Sequence, residues 1–159
     1  MKTAVVYYSF KGNSALVAAQ LAEKFNADVV RIELKDDRKR RSFFKYLWGG
    51  WMVISKKLPE LKPLNFDSSK YDFIILGAPV WASNPAPPLL SFISKAGITG
   101  KKVALYACFG GDEGKFFKVL RPLLANNKIA GETGFKMPVS CSFEEIKQKI
   151  DEWVKSLNI

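Results

Sequence analysis

The chain predicts an α/β fold, a parallel sheet covered by helices on both faces, and three features of the sequence carry that prediction. First, apolar runs of strand length recur at 3–8 (TAVVYY), 71–77 (YDFIILG) and 103–108 (VALYAC). Each is continuous rather than alternating, as strands buried on both faces are. Second, stretches with helical spacing of apolar residues separate these runs, the alternation that builds a doubly wound sheet. Third, each run ends in a loop rich in small or polar residues, at 9–14, 78–84 and 109–114. Ligands of such sheets bind beyond the carboxyl ends of the strands, so three such loops together mark a ligand site. At 159 residues, the whole chain, 1–159, is expected to form a single domain.

The first strand, 3–8, breaks into Ser9-Phe10-Lys11-Gly12-Asn13-Ser14 and gives way at once to an alanine- and leucine-rich segment. Leu16, Val17, Ala19 and Gln20 are good helix formers or fit a helix well, and Leu21 and Phe25 continue an apolar face from Val17. The loop between strand and helix suits a phosphate. The first helix amides lack intrahelical acceptors and the helix dipole favours an anion there. Ser9, Asn13 and Ser14 add side-chain donors, and Gly12 allows a tight turn. The same residues also suit an ordinary capped turn, and on this stretch alone the two readings stand level.

Residues 28–34 (DVVRIEL) alternate apolar and charged positions, as an edge strand does. The charged run 35–41 (KDDRKRR) leads to 42–58 (SFFKYLWGGWMVISKKL), in which aromatic residues lie between basic flanks and Gly49-Gly50 breaks any helix. Pro59 and Pro63 then carry an extended connection to the third strand, 71–77. After it comes a loop, 78–85, whose prolines are expected to end regular structure. Helical spacing resumes over 86–96. A fourth strand, 103–108, precedes the glycine-rich loop 109–114 and a helix over about 115–125. A weaker strand is expected at 133–137. Ser142-Phe143-Glu144-Glu145 has the form of a capping box, opening a final helix whose apolar face includes Ile146, Ile150, Trp153, Val154 and Leu157.

The totals exclude several classes. With no histidine and no paired-cysteine motif, the usual zinc site has no ligands and histidine acid–base chemistry is absent. Two cysteines are too few for a disulfide framework and fit a reducing compartment, so a cytoplasmic location is expected. No signal peptide is visible, and no window approaches the ~20 apolar residues that span a bilayer. The 25 basic and 15 acidic residues give a net charge of +10. That favours anionic ligands, acidic partner proteins or membrane surfaces; nucleic acid is not expected, because no reader motif accompanies the charge.

Ser9-Phe10-Lys11-Gly12-Asn13-Ser14 resembles the Ser/Thr-x-x-Gly-Asn-Ser/Thr phosphate loop of the flavodoxin-like family. The stretch 77–85 (GAPVWASNP) is similar to the family's second flavin loop, in which an aromatic residue packs on the isoalloxazine ring, and Cys108-Phe109-Gly110-Gly111 stands where the third should be. The resemblance covers almost the whole chain except the insert at 35–70, between strands 2 and 3. It implies a three-layer α/β/α domain with a five-stranded sheet of order 2-1-3-4-5 and noncovalently bound FMN. Carried over by position, Ser9, Lys11, Gly12, Asn13 and Ser14 would hold the phosphate. Pro79, Val80, Trp81, Ala82 and Asn84 would line one side of the ring, and Phe109, Gly110 and Gly111 would close the other. Phe10 and Lys11 depart from the small or hydroxyl residues common in that loop. Lys11 either pairs with the phosphate or points to solvent. Trp81 either stacks on the flavin or fills a hydrophobic corner. Asp112 and Glu113 either tune the flavin or cap the next helix. Cys108 reads as a small buried strand-end residue.

The resemblance implies an electron-transfer protein that passes electrons between redox partners, here an acidic partner protein given the basic chain. The alternative is an FMN-dependent NAD(P)H:quinone-type oxidoreductase, with a nicotinamide or a quinone as small-molecule partner. A flavin-free interaction domain is a third reading, against which the three-loop set argues. The insert at 35–57 reads as a solvated loop with a cover helix, a lid, a docking surface, or a peripheral membrane contact through 42–58.

Overall fold

A computed structural model describes residues 1–36 and 58–159 of the chain. The readings placed on 37–57, including the membrane contact and the lid, lie outside the described residues. The elements run β1 (Thr3–Tyr7), α1 (Asn13–Phe25), β2 (Asp28–Arg31), a 3-10 turn (Ser68–Lys70), β3 (Phe73–Trp81), a short β4 (Asn84–Pro85), α2 (Pro87–Lys95), β5 (Lys102–Phe109), α3 (Phe116–Leu123), β6 (Lys128–Lys136), a second 3-10 turn (Pro138–Ser140) and α4 (Phe143–Ser156). The main sheet is parallel with order β2-β1-β3-β5-β6, and β4 pairs only with β3, antiparallel. Without β4 this is the expected 2-1-3-4-5 order, and the fold is the expected α/β one.

The continuous apolar strands are explained by what covers each face. Ala4, Val6, Ile74, Leu76, Val103 and Leu105 point to one side, where Leu89 and Phe92 of α2 and Phe116 and Leu120 of α3 close over them. Val5, Tyr7, Phe73, Ile75, Ala104 and Tyr106 point to the other, beneath Val17 and Leu21 of α1 and Ile146, Ile150 and Trp153 of α4. Successive residues of a strand face opposite sides, so a strand with helices on both sides must be apolar at every position. Ser142 and Glu145 form the expected capping box: the Ser142 hydroxyl accepts from the Glu145 amide, and the Glu145 carboxylate accepts from the Ser142 amide at 2.8 Å.

Three boundaries differ from the sequence reading. β3 does not stop at Gly77 but runs through Pro79 to Trp81 and folds back as β4. Its pairing with β1 ends at Gly77, whereas its pairing with β5 continues to Pro79 opposite Cys108. Past Gly77 the β1 side of the strand has no partner strand among the described residues, and at such an open side proline's missing N–H is tolerated. β6 begins at Lys128 rather than 133, with an irregularity in register between Val103 and Ala104 of its neighbour. Gly131 and Gly134 dilute the strand signal there, yet each leaves room for a side chain packed against it: a Cβ at Gly131 would meet Leu157, and one at Gly134 would meet Phe109. β2 is shorter than expected, ending at Arg31, and Leu34 instead forms an antiparallel bridge with Leu61. Lys35–Glu60 and Lys62–Glu33 ion pairs, at 2.8 and 2.7 Å, flank that bridge.

Candidate functional site

At the carboxyl edge of the sheet a cleft of about 480 Å³ opens, lined by residues from the ends of β1, β3, β5 and β6. That volume is in the range of ordinary small-molecule sites, roughly 300–1,000 Å³. Ser9, Lys11, Asn13, Ser14, Pro79, Val80, Trp81, Ala82, Phe109 and Gly110, all expected from the sequence, line it. Phe10, Cys108 and Met137 line it as well. Gly12, Asn84 and Gly111 do not line it; the first two instead shape the loops, Gly12 through its backbone and Asn84 through its side-chain amide.

The first loop is built around the start of α1. Gly12 is the residue before the helix and takes a left-handed φ of +93°, a conformation that glycine adopts at little cost. Its carbonyl accepts from the Leu16 amide at 2.9 Å, the first bond of the helix. No side chain caps α1, but the Ser9 hydroxyl accepts from the Ala15 amide at 3.2 Å. The Asn13 and Ser14 amides take no acceptor among the described residues, so the helix presents them, with its dipole, to the cleft. The Asn13 side chain does a second job: its Oδ1 accepts from the Val139 amide at 3.0 Å, tying the loop to the turn after β6.

Ser14 is the most informative residue of the set. It is 1% exposed, and its hydroxyl has no hydrogen-bond partner among the described residues within normal geometry. It lies close enough to Cys108 to donate to the sulfur, a poor acceptor. Burial pushes that thiol up to about 12, an effect the Ser14 hydroxyl only partly offsets. Cys108 is therefore a neutral wall of the cleft at ordinary pH.

The second loop is a two-residue turn between β3 and β4. Ala82 and Ser83 have φ of 46° and 61°, the left-handed pair of a type I′ hairpin turn, which glycine or asparagine usually supplies. Non-glycine residues are strained there, and neighbours hold them: Asn84 Nδ2 donates to the Ala82 carbonyl at 2.7 Å, and the Lys115 amide donates to the Ser83 carbonyl at 2.6 Å. Gly114, at the end of the third loop, lies against Ser83 so closely that a Cβ would sit 2.7 Å from its Cα. Trp81, just before the turn, makes edge contacts with Tyr8 and Phe10 at centroid distances of 5.6 and 5.7 Å. It thus both packs on the core and faces the cleft.

The third loop is more open. Gly110 and Gly111 are exposed, and a Cβ at either would meet nothing within 4 Å. Asp112 Oδ1 accepts from the Gly114 amide at 2.9 Å, a turn-closing role rather than a cap on α3. The Met137 amide donates to the Phe109 carbonyl at 2.8 Å, which brings the end of β6 into the cleft wall. Met137 was not anticipated, although the rule that sites lie at carboxyl strand ends would have admitted a fourth loop. Among the described residues no group of histidine, cysteine and acidic side chains could hold a metal ion.

No protein-family model matches the chain, and no curated protein matches it in sequence. Its structure is similar to solved flavoproteins over nearly full length. A flavoprotein from Lactobacillus acidophilus NCFM, solved in complex with FMN, superposes with a TM-score of 0.73 at 19% identity, covering 96% of this chain and 98% of that one. A WrbA-like flavodoxin from Agrobacterium tumefaciens gives 0.61 at 16% identity over 98% and 94%. The two-electron reduced flavodoxin of Megasphaera elsdenii gives 0.57 at 18% identity over 97% and 99%. These likenesses establish the flavodoxin-like fold.

Proposed function

We propose that the cleft binds FMN and that the protein passes electrons between redox partners. The observation that carries this reading is the start of α1. Its Asn13 and Ser14 amides, which take no acceptor among the described residues, and a buried Ser14 hydroxyl with no better neighbour than the Cys108 thiol are what a phosphate monoester needs and what a structural turn does not. A buried hydroxyl whose neighbour is a thiol is poorly satisfied, and a phosphate oxygen is the stronger acceptor. The solved complex of the Lactobacillus flavoprotein with FMN supports the same choice of ligand.

In this reading Ser9, Asn13 and Ser14 meet the phosphate, Gly12 makes the turn that aims the first helix amides, and Lys11, exposed at the rim, adds positive charge to the approach. Trp81 and Phe109 provide the apolar walls for a planar ring. Bound FMN supplies the one- and two-electron chemistry. The chain orients it, excludes water from the apolar side, and leaves the ring edge open at Gly110 and Gly111. The net charge of +10 favours an acidic protein as the partner. The open ring edge also admits the second reading, an oxidoreductase that takes hydride from NAD(P)H and reduces a quinone.

The test is to add FMN to the purified protein, desalt, and record the visible spectrum before and after anaerobic NADH or NADPH. Retained flavin bands with slow or no bleaching are expected of a carrier. Rapid catalytic bleaching with quinone turnover would select the reductase, and loss of all flavin on desalting would overturn both.

A further inference from the structure

We propose that Tyr106, outside the cleft and on the face of β5 that α1 covers, is the positioning residue that holds the start of α1 in its anion-binding pose. The proposal rests on the phosphate-binding reading above and extends it to how the loop is held. Tyr106 Oη donates to the Ser14 carbonyl at 2.9 Å, a fully buried bond between residues 92 positions apart. Ser14 is the second residue of α1 and contributes both an amide and the unpartnered hydroxyl, so this bond is made to the residue that meets the anion.

The sheet is shaped to allow it. Tyr106 on β5 pairs with Gly77 on β3, which in turn pairs with Tyr7 on β1. The Tyr106 ring lies across Gly77: a Cβ there would sit 1.8 Å from its Cζ. Glycine at 77 thus makes a trough through which the ring crosses β3 to reach the helix. Phe135 closes the other side with an edge contact at 6.3 Å. Burial, with Cys108 and Tyr7 nearby, drives the Tyr106 hydroxyl well above its ordinary range. Burial thus favours the protonated hydroxyl, the form that donates.

A hydroxyl with only a packing role would not affect anion affinity selectively. The test compares wild type with Tyr106→Phe, which keeps the ring and removes the donor, with Tyr7→Phe as a control on the same face. Binding of FMN, riboflavin and inorganic phosphate is followed by the Asn13 and Ser14 amide resonances. Tyr106→Phe is expected to weaken FMN and phosphate about tenfold, to leave riboflavin within about twofold, and to leave near-UV circular dichroism native. Equal weakening of FMN and riboflavin, or no change in any of the three, would overturn the proposal. If wild type binds phosphate with these amides but not FMN, the flavin reading falls, and the effect of Tyr106→Phe on phosphate alone decides the positioning role: a loss of about tenfold supports it and no change overturns it. If the amides answer to neither, both fall. Should Tyr106→Phe not fold, exchange of the Tyr106 hydroxyl proton in wild type decides. Slowing on phosphate addition supports the role, and indifference to phosphate overturns it.

Discussion

At the α1 end of the cleft the loop is tied to its surroundings by three bonds: a buried one from Tyr106 to the Ser14 carbonyl, a partly buried one from the Ala15 amide to Ser9, and an exposed one from the Val139 amide to Asn13. At the opposite end, Gly110 and Gly111 stand in open solvent, and the hairpin turn at Ala82 and Ser83 is held mainly from its flank by Gly114 and Lys115. One end is fixed by the core of the sheet and the other by loop-to-loop contacts. The difference suits a ligand whose charged group must meet placed donors while its reactive edge stays reachable by a partner. It also means that glycines at the two ends do different work, which substitution can separate.

The largest expected effect is at the fixed end. Gly77→Ala puts a methyl into the Tyr106 ring, and neither the strand nor the fully buried ring can yield. We expect about 3 kcal/mol of lost stability by denaturant titration, together with loss of phosphate-dependent binding. A loss below about 1 kcal/mol would mean that the ring finds another path and that the trough is not needed.

Gly114→Ala should come next, at about 2 kcal/mol. It combines a left-handed φ of +54° with a contact of 2.7 Å to the Ser83 backbone, and the first alone costs about 1–2 kcal/mol. It is expected to loosen the second loop and so to weaken riboflavin and FMN alike, unlike changes at Tyr106. Gly110→Ala, with an ordinary φ and empty space around it, should change stability by less than about 0.5 kcal/mol. If Gly110→Ala and Gly114→Ala behave alike, the contact with Ser83 is not what holds the turn.

The floor of the cleft gives a pH signature. The Cys108 thiol is raised by burial from its ordinary value of 9.0 to about 12 in the fold. The folded state therefore favours the protonated thiol: stability is unaffected below pH 9 and falls as pH rises from there toward 12. By about pH 10 the loss is on the order of 1 kcal/mol. Thermal melts of Cys108→Ala against wild type should differ by a constant below that window and converge within it. Tyr106, raised by burial too, leaves a residual alkaline slope in the variant. Parallel curves throughout would mean that the thiol is solvated.

The sequence made the fixed end legible where its chemistry is local. The Ser9–Ser14 stretch, the helix after it and the Ser142 capping box are encoded by adjacent residues, and the structure has them where expected. What was not legible depends on register across strands. No local signal says that Gly77 lies opposite Tyr106, or that Asn13 reaches Val139, because residues far apart in the chain meet there. Pro79 misled for a related reason. Proline breaks an internal strand but not an edge, and whether β3 has an edge at that point depends on where β1 stops. Met137 was missed because the weak strand before it gave no sharp end from which to place a loop.

The most direct test of the central claim is a ³¹P NMR spectrum of the protein reconstituted with FMN, followed from about pH 5 to about pH 8. Free phosphate monoesters titrate through this range, with a second pKa of about 6. A phosphate held by the α1 amides and the Ser14 hydroxyl is predicted to give one resonance, displaced from that of free FMN and unmoved across the range. A resonance that titrates as free FMN does would contradict the account.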